Sequence, residues 1–195
     1  MIEIILENLV KMLTERDTLD KKDFDKNLKN LKDQITEEKI FKIKGKNPDE
    51  EYNILYVSGK ISTIKKIQGL DTFLVNSKGK NRIFIGDQIS QKAYKQFIEL
   101  KKSEVFFEHE LMINLIDHEL QPKFKLLTQE EKARKMNDYD ISDRNLARMF
   151  KTDPIARYYN ANIGDVFRII RPSLYTGSGY HYRLVVDAPV SNLFS

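Results

Sequence analysis

No cysteine occurs in the 195 residues. That absence removes disulfides, thiolate metal sites and cysteine nucleophiles together, and it fits a reducing compartment. Nowhere does the chain approach 18 uninterrupted apolar residues, which excludes a transmembrane helix. The N-terminus, Met1-Ile2-Glu3-Ile4-Ile5-Leu6-Glu7, sets acids inside its apolar run and has no basic leader, so no signal peptide is expected. There is no glycine-rich phosphate loop, no nucleophile with a base nearby, no internal repeat and no low-complexity linker.

What is present is an ordinary globular composition, 41% hydrophobic, enough to build a core. The length allows one large domain or two small ones. Net charge is +4, unevenly distributed. Residues 39–102 hold 14 Lys and Arg against 6 Asp and Glu, whereas residues 103–195 hold 12 against 13. A basic excess in one half suggests that this half faces a polyanion. A lysine-rich solvated surface explains the same counts, and charge alone leaves both readings open.

Periodicity divides the chain. Ile2, Ile5, Leu6, Leu9, Val10 and Leu13 recur at helical spacing. A second helical pattern follows around Phe24, Leu28, Leu31 and Ile35, and the turn cluster Gly45-Lys46-Asn47-Pro48-Asp49 ends it. Tyr52–Val57, Thr72–Val75 and Arg82–Ile85 then read as three strands. Ser90 is expected to cap a helix running to about Leu100, with Ala93, Phe97 and Leu100 buried. These parts assemble most simply into a two-layer α/β unit. Its boundary is expected near Lys101-Lys102-Ser103, giving domains 1–103 and 104–195. In the second half Thr128-Gln129-Glu130-Glu131 is a capping box. Asp153-Pro154 is another strong helix start. Val166–Ile170, a Gly-Ser loop and Tyr180–Val186 read as a β-hairpin, so the half is a compact α+β module.

Small basic α/β domains invite a nuclease reading. Metal-dependent nucleases of the restriction type need one acid near a strand and then Asp/Glu-x-Lys on the next. Asp49 precedes the first strand, but that strand ends Ser58-Gly59-Lys60 and lacks the second carboxylate. His109, His118 and His181 show no paired zinc spacing, and His118 reads as a structural histidine bonded to backbone or carboxylate. A helix-turn-helix over Glu130–Tyr159 is weak, because its second helix offers mainly Arg157. The better nucleic-acid candidates are the basic loops: Lys60, Lys65 and Lys66 after one strand, and Lys78, Lys80 and Arg82 around the next turn. Loop ammonium groups neutralise phosphates without reading sequence. No aromatic residues interleave them, which argues against stacking on single strands.

Three segments in the second half carry more specific information: Asp117-His118-Glu119-Leu120-Gln121-Pro122-Lys123, Thr152-Asp153-Pro154-Ile155-Ala156-Arg157-Tyr158 and Ile169-Ile170-Arg171-Pro172-Ser173. With Leu126-Leu127-Thr128-x-Glu130-Glu131-Lys132, Gly164-Asp165-Val166 and Gly179-Tyr180-x-Tyr182-Arg183, they resemble one shared RNA polymerase subunit over about residues 104–186. That subunit is the fifth of the eukaryotic nuclear polymerases, and archaeal polymerases carry its shorter counterpart. The chain departs from the family at Phe124, where His is usual, and at Ala147, where Pro is usual; both are expected in turns. Upstream, Ile83-Phe84-Ile85 and Ile89-Ser90-Gln91-Lys92-Ala93 look like the last strand and helix of the family's N-terminal jaw, which archaeal members lack.

The resemblance implies a non-catalytic, α+β polymerase subunit without a cofactor, a membrane or a small-molecule substrate. Its N-terminal α/β jaw would be similar to an inactive restriction-type nuclease fold and would lie beside downstream duplex DNA, with Ser90, Gln91 and Lys92 at the helix start that approaches it. Its C-terminal module would dock on the largest polymerase subunit, among the other subunits. His118, Pro122, Asp153, Pro154, Arg157, Arg171, Tyr182 and Arg183 would build that module. The short first half and the Lys/Asn/Ile-rich composition lean towards a large DNA virus or a divergent protist. The expected location is intracellular: the nucleus if cellular, the host cytoplasm or virion if viral. The rival readings are a free-standing nucleic-acid-binding transcription regulator and a metal-dependent nuclease.

Overall fold

The structure, a computed structural model, describes residues 1–35, 39–47, 50–67, 69–173, 177–188 and 193, the side chains of residues 66 and 173 excepted. It divides into two compact units, Met1–Asn114 and Leu115–Ser195.

The first unit opens with α1 (Ile2–Glu15), whose Ile5, Leu6, Leu9, Val10 and Leu13 are buried at the spacing the sequence shows. Next come α2 (Phe24–Asp33), β1 (Ile40–Lys44) and β2 (Glu51–Ile61), then α3 (Leu70–Asn76), β3 (Asn81–Ile89), α4 (Gln91–Ile98), β4 (Ser103–Phe107) and α5 (Glu108–Met112). The sheet order is β1-β2-β3-β4. β1 runs antiparallel to β2, while β2, β3 and β4 are mutually parallel.

Parallel neighbours need a crossover, and right-handed crossovers from strands of one direction put α3 and α4 on one face. Phe84 of β3 marks that face, 5.7 Å from the Phe73 ring of α3 and 4.4 Å from Phe97 of α4. Tyr94 of α4 stacks on Phe107 at 5.9 Å on the same side. Side chains alternate along a strand, so Ile85 and its β4 partner Phe106 turn to the opposite face, where Arg16 follows α1.

Four expectations are corrected here. Thr72–Val75 is not a strand but the body of α3; Leu70 and Phe73, three residues apart, are its buried positions. Ile40–Lys44, read as the end of a helical portion, is the edge strand β1, with Phe41 and Ile43 inward and lysines between them. The expected boundary at 103/104 falls at the start of β4, which pairs with β3 and so belongs to the first unit; the division lies after Asn114. Helix α4 stops at Ile98, short of Leu100. Pro48 and Asp49 lie outside the described residues.

The second unit comprises β5 (Lys123–Leu126), α6 (Gln129–Tyr139), β6 (Ala147–Phe150), α7 (Pro154–Tyr158), β7 (Val166–Ser173) and β8 (Gly177–Val186). Its sheet runs β5-β7-β8-β6, with β7 and β8 forming the expected antiparallel hairpin and β6 parallel to β8. Phe124 and Ala147 therefore lie in strands, not turns. Phe124 faces Phe167 edge-on at 6.1 Å, in a core with Met149, Ile155, Ala156 and Val185. The capping box of α6 forms in both directions: the Glu131 amide donates to Thr128 Oγ1 at 3.2 Å, and the Thr128 amide donates to Glu131 Oε2 at 3.1 Å. At α7, Asp153 Oδ1 accepts from the Ile155 amide at 2.9 Å, with Pro154 at the first helical position. Asp153→Ala is expected to lower stability by about 1 kcal/mol. Urea unfolding of the pure chain measures this, and an unchanged midpoint would show that the cap contributes nothing.

Candidate functional site

Parallel pairing carries the C-terminal ends of β2 and β3 to one edge of the first sheet, with Lys60 opposite Gln88 and Ile61 opposite Ile89. The chain is tied tightly there. The Ser90 amide donates to Ile61 O at 2.9 Å, and Ser90 Oγ donates to Ser62 O at 2.9 Å while accepting from the Ala93 amide at 3.2 Å. The Ile64 amide donates to Gln96 Oε1 at 3.3 Å, holding the short 3₁₀ turn Ile64–Lys66 against α4. Exposed Lys60, Lys65, Gln91 and Lys92 are thereby gathered around the start of α4, where the helix leaves amides and a partial positive charge. The side chain of Lys66 lies outside the described residues.

Lys78, Lys80 and Arg82 sit at the other end. They flank the N-terminus of β3, and a nine-residue strand separates them from Ser90 by roughly 26 Å. Two of the three are occupied by the fold. Lys80 Nζ meets Glu51 Oε2 at 2.6 Å, and this bond holds the Glu51 carboxyl below its ordinary range. Arg82, only 9% exposed, donates from Nε to Ser77 Oγ at 2.8 Å and from its terminal nitrogen to Leu74 O at 3.3 Å. Arg82 thus fastens the end of α3 to β3 instead of standing as a free loop cation. Lys78 remains exposed.

An open groove of about 900 Å³ runs along β1 and β2 beside α3, lined among others by Lys39, Lys42, Asn53, Lys60, Thr72 and Asn76. Among the described residues no Asp or Glu lines it. Lys39 and Lys42 escaped the sequence reading because β1 did; the alternation of lysine with Phe41 and Ile43 was the available signal. On the far side of β2, Tyr56 Oη donates to the buried Glu108 carboxylate at 2.9 Å, and Lys39 Nζ lies 4.9 Å from the Tyr56 ring centroid. Burial first, and then this carboxylate, push the Tyr56 phenol up to about 12. Among the described residues no three His, Asp or Glu side chains group to hold a metal ion, and Asp49 is not among them.

In the second unit the expected module residues have separate tasks. His118 is exposed, its Nδ1 accepts from the Leu120 amide at 3.2 Å, and its carbonyl accepts from the Gln121 amide at 2.9 Å, shaping the turn into Pro122. Asp153 and Pro154 start α7, which also carries Arg157. Strand alternation puts Arg171 and Arg183 on the sheet face shared with Phe167, and Tyr182 on the other, where it is paired with Arg168. Arg168 and Tyr180 were not singled out by the sequence; the cross-strand register is what brings Arg168 within 5.5 Å of the Tyr180 ring centroid. No helix among the described residues is long and apolar enough to cross a membrane.

The family model for the C-terminal domain of RNA polymerase Rpb5 matches residues 113–185. "DNA-directed RNA polymerase subunit 5" of Acanthamoeba polyphaga mimivirus is 31% identical over 192 residues, covering 95% of this chain and 92% of that protein. The "DNA-directed RNA polymerases I, II, and III subunit RPABC1" of Caenorhabditis briggsae is 46% identical over 83 residues, 43% of this chain and 39% of that one. The archaeal "DNA-directed RNA polymerase subunit Rpo5" of Methanothrix thermoacetophila is 39% identical over 71 residues, 36% of this chain and 91% of its own length. The likeness to the viral protein runs almost end to end: the chain belongs to the Rpb5 family of RNA polymerase subunits.

Proposed function

We propose that this chain is a non-catalytic subunit of a multisubunit DNA-directed RNA polymerase. Its second unit docks on the largest subunit, and its first serves as a jaw beside downstream duplex DNA. The observation that carries the assignment is the match along 95% of the chain to the mimivirus subunit 5. The mixed sheet of the first unit supports kinship with a restriction-type nuclease fold. Its groove, lined by no carboxylate among the described residues, supports the loss of that chemistry, since two-metal hydrolysis needs acids to hold the cations. DNA contact falls to Lys60, Lys65, Lys66 and Lys92 with Ser90 and Gln91 at the start of α4, where ammonium groups and helix amides favour phosphate. Lys78 precedes β3, at the end of that strand away from this contact surface, and Lys80 and Arg82 are tied to the fold. The chain then works inside the cell, in the nucleus of a cellular host or in the cytoplasm or virion of a large DNA virus.

Affinity purification of the tagged chain from its source, with mass spectrometry of bound chains, tests the assignment. Polymerase subunits retained at high salt are the expected result; a salt-labile association alone identifies a free-standing regulator instead. For the jaw, replacing Lys60, Lys65 and Lys66 by alanine should leave assembly intact. It should also lower the slope of log affinity for downstream DNA against log salt by roughly 2–3, about one for each phosphate contact. Failure of assembly would show that these lysines hold structure.

A further inference from the structure

Strand β1 is an edge of the first sheet. Its bonding to β2 fixes which way each backbone group points. The Tyr56 amide donates to Lys39 O at 3.1 Å and, in the same register, the Gly45 amide donates to Glu50 O at 2.6 Å. Bonded and non-bonded pairs alternate along an antiparallel ladder, so Ile40, Lys42 and Lys44 turn their amides and carbonyls away from β2. An outward row of this kind is a template on which a further strand can pair.

That row is guarded. At Lys42 both groups are taken by one side chain: the Lys42 amide donates to Gln34 Oε1 at 2.7 Å, and Gln34 Nε2 donates to Lys42 O at 3.2 Å. The carboxamide makes the pair of bonds that a residue of a neighbouring strand would make. Just past the end of β1, the Lys46 amide donates to Thr18 O at 2.8 Å. Thr18 and Gln34 bracket α2, so segment 18–34 is tied to this edge at both ends. Between the ties it stands off, leaving an open groove of about 740 Å³ lined by Asn27 and Asn30 of α2 and by Lys42 and Lys44 of β1. Helix α2 is also lightly held: Leu31 alone is buried among its described residues, and its Lys32–Glu3 ion pair, 3.2 Å, is exposed and weak.

We propose that segment 18–34 is a strap over β1, with the Gln34 carboxamide as its latch, and that it keeps this edge from pairing with the β1 edge of a second copy. Two identical edges meet antiparallel across a two-fold axis, so the contact it prevents is self-complementary and closes as a dimer. While the latch is made, the outward amide and carbonyl of Lys42 are both engaged. Lys42 and Lys44, both exposed, are a second guard, because pairing would bring the lysines of the two copies together. The strap goes beyond the subunit reading and does not depend on it.

Sedimentation of the full-length chain is compared for wild type, Gln34→Ala, Gln34→Met and Gln34→Met/Lys42→Pro. Methionine keeps the length of glutamine without either bond. Thermal melting checks folding, and amide exchange reads the latch directly. The expected result is a monomeric wild type with a protected Lys42 amide. Both single variants should exchange that amide at least tenfold faster, and their dimer dissociation constant should fall at least tenfold below that of the wild type. Added salt should tighten their dimer, since it screens the lysines. Proline at position 42 removes the outward amide and is tolerated on an edge strand, so it should return Gln34→Met to monomer although it also removes a positive charge. Variants that fold and associate no more than the wild type overturn the strap. A dimer that Lys42→Pro leaves intact marks another surface and overturns it too. An unprotected Lys42 amide in the wild type does the same, whether or not the variants fold.

Discussion

Phe84→Ala is expected to remove about 3–5 kcal/mol from the stability of the first unit. The ring is 1% exposed and sits on β3 between Phe73 of α3 and Phe97 of α4, so its loss opens a cavity under both crossover helices at once. Edge-to-face and tilted ring contacts add to the area term. Against a typical total of about 5–15 kcal/mol, that leaves the unit marginal. Val75→Ala on α3, where the side chain is 73% exposed, is the control and should cost under about 0.5 kcal/mol. Urea unfolding followed by amide exchange in β2 and β3 reads the difference. A loss below about 1 kcal/mol would mean that α3 and α4 settle into the space, and that the sheet does not depend on this ring.

Breaking the Arg16–Glu104 pair should cost nearly as much. The two side chains are 5% and 16% exposed and meet through two parallel bonds, 3.0 and 2.8 Å, just past the end of α1 and on β4. Arg16→Met leaves a carboxylate short of its partner in a dry place, and the expected destabilisation is about 3–5 kcal/mol. Glu104→Leu alone strands the guanidinium and should behave alike. The double variant Arg16→Met/Glu104→Leu is expected to recover most of the loss, because apolar groups of similar volume often replace a buried ion pair without penalty. A double-mutant cycle by chemical denaturation measures the coupling; additive losses would show that the two charges act separately. The pair joins residues 88 positions apart, which makes it a device for specifying where α1 packs as much as a source of stability.

How far the sequence could be read depended on the range of the contact involved. The caps of α4, α6 and α7 were legible because each is made within three residues, between a Ser, Thr or Asp oxygen and a nearby amide. Strand β2 and the β7–β8 hairpin were legible from composition. Thr72–Val75 misled because a four-residue apolar run with two β-branched members fits strand or helix equally by pattern. What decides it is the parallel pairing of β2 with β3, which demands a crossover between them. Glu104–Phe107 was assigned to the wrong unit for a related reason: nothing local says that a strand pairs backward across α4 and not forward. The candidate site fared similarly. Lys60, Lys65 and Lys92 stand exposed, whereas Arg82, one more cation of the same basic stretch by sequence, has its guanidinium bonded to Ser77 and Leu74.

By itself the sequence determined the family, through several segments in fixed order over the second unit, and the helix starts, which need only neighbours along the chain. Tertiary structure alone decided which cations share an edge and which aromatic meets Arg168. Those depend on strand direction, order and register, and these follow from burying both sheets, not from any residue's nearest neighbours.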